Sequence, residues 1–119
     1  MADRFTALQT FWSGFGIPAY DENTVPDDAP FPYITYSVAV SDFDEILNLS
    51  ASLWYLSTSW SGISQKAEEI SESIGGGSGV PYDGGRLWIT KASPFAQRMA
   101  EPSDDKVRRI VLQVIAEYQ

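Results

Sequence analysis

Apolar residues recur along the first fifteen positions with the period of a helix. Phe5, Leu8, Trp12 and Phe15 stand three, four and three residues apart, with Phe11 beside Trp12, which is the spacing of one helical stripe. A first helix over residues 3–14 follows. Gly14, Gly16 and Pro18 end it, since glycine accepts the left-handed conformation of a helix exit and proline cannot continue the hydrogen-bond ladder. The stretch up to Pro32 then loses all periodicity. It holds Pro18, Pro26, Pro30 and Pro32 with the acids Asp21, Glu22, Asp27 and Asp28, and reads as an irregular acidic loop. Its length exceeds the usual ceiling for structureless connections, about 12 residues, so it is either mobile or ordered by a partner.

From Tyr33 the period changes to two. Ile34, Tyr36, Val38 and Val40 fall on one face and Tyr33, Thr35, Ser37 and Ala39 on the other, predicting a strand over 33–40. Ser41 to Glu45 is a polar turn, and a second strand over 46–58 sets Leu47, Leu49, Ala51, Leu53 and Tyr55 opposite Asn48, Ser50, Ser52 and Trp54. The run Leu53-Trp54-Tyr55-Leu56 implies either burial on both faces or a bulge. Ile63, Ala67, Ile70 and Ile74 next repeat at helical spacing, opposite Lys66, Glu68, Glu69 and Glu72, which predicts an amphipathic helix over 61–74 with Ser61 as its N-cap. Glycines from Gly75 to Gly79 stop it. Asp83-Gly84-Gly85 marks a tight turn before a third strand over 86–90, and Val107 to Tyr118 alternates as the fourth. On that last strand Ile110, Leu112, Val114, Ala116 and Tyr118 form the apolar face, against Val107, Arg109, Val111, Gln113, Ile115 and Glu117.

This order, αββαββ, predicts a single α+β domain spanning 1–119, with a four-stranded, mainly antiparallel sheet and both helices packed on one face. A related string follows each helix exit, Gly16-Ile17-Pro18-Ala19-Tyr20-Asp21 and later Gly79-Val80-Pro81-Tyr82-Asp83, and suggests a duplicated unit. The 119 residues, 44% hydrophobic and 20% charged, suit one globular domain.

Composition removes most chemistry. The chain has no cysteine and no histidine, so thiolate nucleophiles, disulfides, structural zinc sites and histidine proton relays have no side chains to build them. Eight basic residues against sixteen acidic ones give a net charge of −8, which argues against sequence-specific nucleic-acid binding or an anionic membrane surface. No apolar run approaches the roughly 20 residues of a membrane span, and the first residues lack a signal-peptide or lipidation pattern. The glycine run follows a helix instead of a strand and lacks the lysine of a phosphate loop. Asp42, Asp44 and Glu45 do not continue into the ligand series of a calcium loop. The serines sit in no nucleophile elbow, and Trp12, Trp54 and Trp88 fall on faces where burial in a core or subunit interface is the default. No enzyme, cofactor or metal site is expected.

Charge is uneven. Residues 1–60 contain eight acids and the single base Arg4, whereas the second half is nearly balanced. That asymmetry is either solvated loop or a surface that meets a basic patch on a partner.

The strings Phe31-Pro32-Tyr33-Ile34-Thr35-Tyr36, the passage Leu53–Ile74, and Ser93-Pro94-Phe95-Ala96-Gln97-Arg98-Met99 ahead of Val107-Arg108-Arg109-Ile110 resemble the tail terminator proteins of long-tailed bacteriophages over nearly the whole chain. The resemblance implies a virion protein assembled in the host cytoplasm. It implies a homo-oligomeric ring, usually hexameric, at the head–tail junction, which caps the tail tube, stops its polymerisation and offers a face to the head connector. Partners would be further copies of the chain, the tube protein and a connector or stopper protein, with DNA passing through the lumen. Alternatives are another head–tail joining component, such as a stopper or head completion protein, or a monomeric binding module. A closed ring joins two different patches of neighbouring copies. Asp21, Glu22, Asp27, Asp28, Asp42 and Asp44 are the expected acidic side of that contact, with Lys106, Arg108 and Arg109 as the basic side. Phe95, Arg98 and Met99, in an expected loop over 93–105, are the candidate contact to tube or connector.

Overall fold

A computed structural model describes residues 4–37, 46–99 and 105–119. The elements are α1 (Arg4–Ser13), β1 (Ala19–Asp21), β2 (Tyr33–Tyr36), β3 (Ile46–Leu56), α2 (Ser61–Ile74), β4 (Ser78–Tyr82), β5 (Gly85–Met99) and β6 (Val107–Tyr118). The class is α+β with two helices, as expected, but the sheet has six strands in the order β1-β2-β3-β6-β5-β4. Positions 38–40 of the expected first strand and the turn with Asp42, Asp44 and Glu45 lie outside the described residues.

Both additional strands are edges, and both contain the string that follows a helix exit. Ala19–Asp21 leaves the expected acidic loop to pair in parallel with β2, Ala19 opposite Ile34 and Asp21 opposite Tyr36. Ser78–Tyr82 pairs antiparallel with β5 around the two-residue turn Asp83–Gly84, where Gly84 takes a φ of 93°. The element order thus repeats as α-β-β-β. The halves differ in direction at their first strand, because an eleven-residue return (22–32) allows the parallel pairing that a tight hairpin forbids.

The expected loop over 93–105 is also corrected. Strand β5 runs on to Met99, and its pairing with β6 jumps from Lys91 opposite Val114 to Ala96 opposite Leu112. This bulge absorbs Ser93 and Pro94, which would otherwise interrupt the ladder.

One core lies between the sheet and the helices. Ile34, Leu53, Leu87, Ile89, Leu112 and Val114 from the sheet are buried against Leu8 and Trp12 of α1 and Ile63, Ile70 and Ile74 of α2. Both helices therefore cover the same face. The buried stripe of α1 is Ala7, Leu8, Phe11 and Trp12, while Phe5 is 48% exposed; the stripe is rotated from the one its spacing suggests because Ala7, small enough to approach the sheet, takes the inner position. Helix α2 buries the four predicted residues. Ser61 is not its cap: Trp60 occupies that position without a side-chain cap bond, and the Ser61 N–H donates to Ser59 Oγ at 3.1 Å. At its other end Gly77, at φ 151°, lets the chain pass Trp88, whose Cζ2 would lie 2.0 Å from any Cβ there.

The sheet edges are short or blocked. Strand β1 has three residues. Arg86 exchanges both backbone bonds with Gln119, so its β4 partner Pro81 turns its nitrogen outward, where proline has no hydrogen to donate.

Candidate interface on the open sheet face

Strand parity puts alternate residues on the face that no helix covers. Register joins them across the sheet: Tyr33 lies opposite Trp54, Trp54 opposite Arg109, and Arg109 opposite Met99. One row of four large side chains therefore crosses β2, β3, β6 and β5. Its members touch. The Tyr33 and Trp54 rings stack at 6.3 Å with a 23° interplanar angle, and the Arg109 guanidinium lies 4.8 Å from the Trp54 ring centre, within reach of a cation–π attraction. Hydrogen bonds fix the row from below. Trp54 Nε1 donates to Thr35 Oγ1 at 2.9 Å, and Arg109 Nε donates to Ser52 Oγ at 3.1 Å, which explains why Ser52 is buried on an otherwise open face. Tyr20 and Phe31 extend the aromatic strip at the β1 side, 6.0 Å and 5.2 Å from the Tyr33 ring. Burial, with a smaller contribution from Tyr20, raises the Tyr33 phenol above its ordinary pKa of 10.0. Leu56, 61% exposed, continues the face one pair beyond Trp54.

Arg98 and Arg108 point the other way. Residue 108 pairs with Tyr55 and residue 98 with Ile110, on the helix side, where both guanidiniums lie over Trp60 at 4.9 and 5.4 Å. Arg108 donates to the carbonyls of Thr58 at 2.8 Å and Asp105 at 2.7 Å, and Arg98 to Ser64 Oγ at 3.3 Å. Arg108 and Arg109, expected in one patch, are thus divided between opposite faces because adjacent strand residues alternate. Lys106 precedes β6, and its carbonyl accepts from the Ser57 N–H at 2.6 Å. Phe95 packs half-buried against its own core, while Met99 joins the open row.

The acidic segment is ordered locally. Asp21 Oδ1 accepts from the Asn23 N–H at 2.9 Å, and the Ala29 N–H donates to the Pro26 carbonyl at 3.1 Å, so Glu22, Asp27 and Asp28 are carried outward on two successive turns. Asp42 and Asp44 lie outside the described residues. Among the described residues no group of three acids is placed to hold a metal ion, and no helix is long and apolar enough to cross a membrane. A groove of about 240 Å³ lies between α2 and β5, lined by Ala67, Ala96, Arg98 and Glu68 among others. The arrangement suits contact between surfaces: planar rings, guanidiniums held over them, and a separate acidic lobe.

The sequence marks Trp54 only as a general core or interface candidate and assigns Trp60 no role. Their pairing with arginines depends on strand register, whose one signal in the sequence is the shared parity of Tyr33, Trp54 and Arg109.

No protein-family model and no curated protein matches the chain. Its fold is similar to that of a chain in a solved structure described as "Virion of native gene transfer agent (GTA) particle", with a TM-score of 0.58 and 22% identity, over 98% of this chain and 86% of that chain.

Proposed function

We propose that this chain is a non-enzymatic structural subunit of a phage-like particle, a tail terminator that closes into a six-membered ring on the tail tube and presents a face to the head connector. The observation that supports this most is the near end-to-end fold likeness to a chain of a gene transfer agent virion. The sequence resemblance to tail terminators supports the finer assignment, as does an inventory without cysteine or histidine. In the ring, the acidic turns at 21–28 and the 42–44 segment meet Lys106 and Arg109 of the next copy, Arg108 being turned to the helix side. Arg98 on the helix side, with Phe95 behind it, faces the tube or connector, whereas Met99 lies on the open sheet face. DNA passes through the lumen, and no cofactor or membrane takes part. Arg109 is the cleaner probe of the ring contact, since Arg108 also ties the Thr58 and Asp105 carbonyls of its own chain.

Deleting the gene and imaging the particles by electron microscopy tests the assignment. Overlong headless tails are the expected result. Normal-length tails without heads would instead make the chain a stopper, and unaltered particles would reject a role at this junction.

A further inference from the structure

We propose that the open sheet face is the seat for a second copy of this chain, and that the segment docking on it is the acidic 22–28 loop of that copy. The inference deepens the ring reading above and rests on it.

The row Tyr33, Trp54, Arg109 and Met99 has the composition of an interface centre, in which aromatic residues, methionine and arginine are enriched. Solvent alone gives no reason for it. A face turned only to water gains nothing from a stacked tyrosine and tryptophan, nor from Leu56 left 61% exposed beside them. Charge selects the occupant. Although the chain carries −8, the acid that strand parity places on the described open face is Glu117, opposite Trp88 and eight residues along β6 from Arg109. Arg109 is the cation at the centre of the row, held over the Trp54 ring, and its charge is complementary to an acidic segment.

The loop fits that role in charge and in stiffness. Among the described residues Glu22, Asp27 and Asp28 enter no ion pair. Their Asx turn, the turn at 26–29 and two prolines hold the backbone in place before contact, so docking orders little further chain. Because seat and loop are different surfaces of one chain, each copy offers one and accepts the other. Such contacts run head to tail and close into a ring when the rotation permits.

The natural chain contains no cysteine, so introduced thiols report the contact directly. Ala29→Cys places a thiol beside Asp28, and Gln97→Cys places one on the open face, opposite Val111 and next to the Arg109 row. Glu72→Cys, on the exposed side of α2, serves as a control. Single-thiol proteins are mixed in pairs under mild oxidation while sedimentation follows their assembly. The expected result is disulfide formation between Ala29→Cys and Gln97→Cys chains at least about tenfold over the control pair, as a raised effective concentration gives. The link should be lost on adding Arg109→Glu to the Gln97→Cys chain, and restored when Asp27→Arg and Asp28→Arg are added to its partner. Oligomers that link through Glu72→Cys, or through neither pair, would overturn the docking site and leave the ring intact. A monomer with no link would also overturn it, whereas the ring reading stands or falls on the tails of the deletion strain.

Discussion

On β6, Ile110, Leu112, Val114, Ala116 and Tyr118 are buried under the helices, while Arg109, Val111, Gln113, Ile115 and Glu117, each one position out of phase, stay partly exposed on the other side. The same strand, with one backbone geometry, serves two environments. On the helix side the side chains are aliphatic and fill space between α1, α2 and the sheet. On the open side they are mixed, and the large ones are fastened by specific partners: Trp54 to Thr35, and Arg109 to Ser52 and to the Trp54 ring. Burial without direction specifies the fold, whereas directed contacts on a surface hold side chains ready for something else.

The widest gap between the two sides should appear when each loses a tryptophan. Trp12 is fully buried among Phe11, Phe15 and the core, so Trp12→Ala is expected to cost about 3–5 kcal/mol. Trp54→Ala should cost about 1 kcal/mol, mostly a lost cation–π contact and partial burial. Urea unfolding of the two variants measures both, and equal losses would erase the distinction between core and docking face.

A smaller effect tests the junction where α2 hands the chain to β4. Gly77→Ala drives a Cβ to within 2.0 Å of the Trp88 ring at a φ of 151°, whereas a Cβ at Gly76 meets nothing within 4 Å. The first substitution should destabilise by about 1–3 kcal/mol and shift tryptophan fluorescence; the second should do neither. A thermal melt of the pair decides it.

The gentlest contrast is in alkaline titration. Tyr36 on the covered face and Tyr33 on the open face both have phenols raised above 10.0, chiefly by burial, with Asp21 adding to the first and Tyr20 to the second. A raised folded-state pKa means the folded protein holds its phenolic protons more tightly than the unfolded chain. Stability is therefore undiminished below the unfolded value, about 10, and falls as pH rises through the folded values. Melting temperature should stay level to about pH 9 and decline above it, and the decline should be shallower in Tyr33→Phe. An unchanged slope would show that the open-face phenol is fully solvated.

Long periodic segments were legible from the sequence. Helix α2 and strand β6 occupy the residues their periods predict, because three or more turns, or six alternations, outvote any single exception. Strand β1 was not legible, since three residues among prolines carry no period and their pairing partner Ile34 lies fifteen positions away. The continuation of β5 was hidden by Pro94, which usually ends a strand and here sits in a bulge. The interface residues divide the same way. Arg109 stands out in the sequence as charge on the expected last strand, and Met99 as apolar exposure in the expected loop over 93–105. That they continue one row from Trp54 is a property of two strand registers, which local pattern does not encode.

The blocked edges of the sheet bear on how copies can add to one another. A three-residue strand on one side offers too few backbone groups to template a newcomer, and Pro81 on the other withholds the hydrogen a newcomer would need. Sheet cannot simply be continued into sheet, so growth by strand addition, which has no natural stopping point, is discouraged in both directions. Association is left to side chains on a curved and finite surface, where geometry counts the copies.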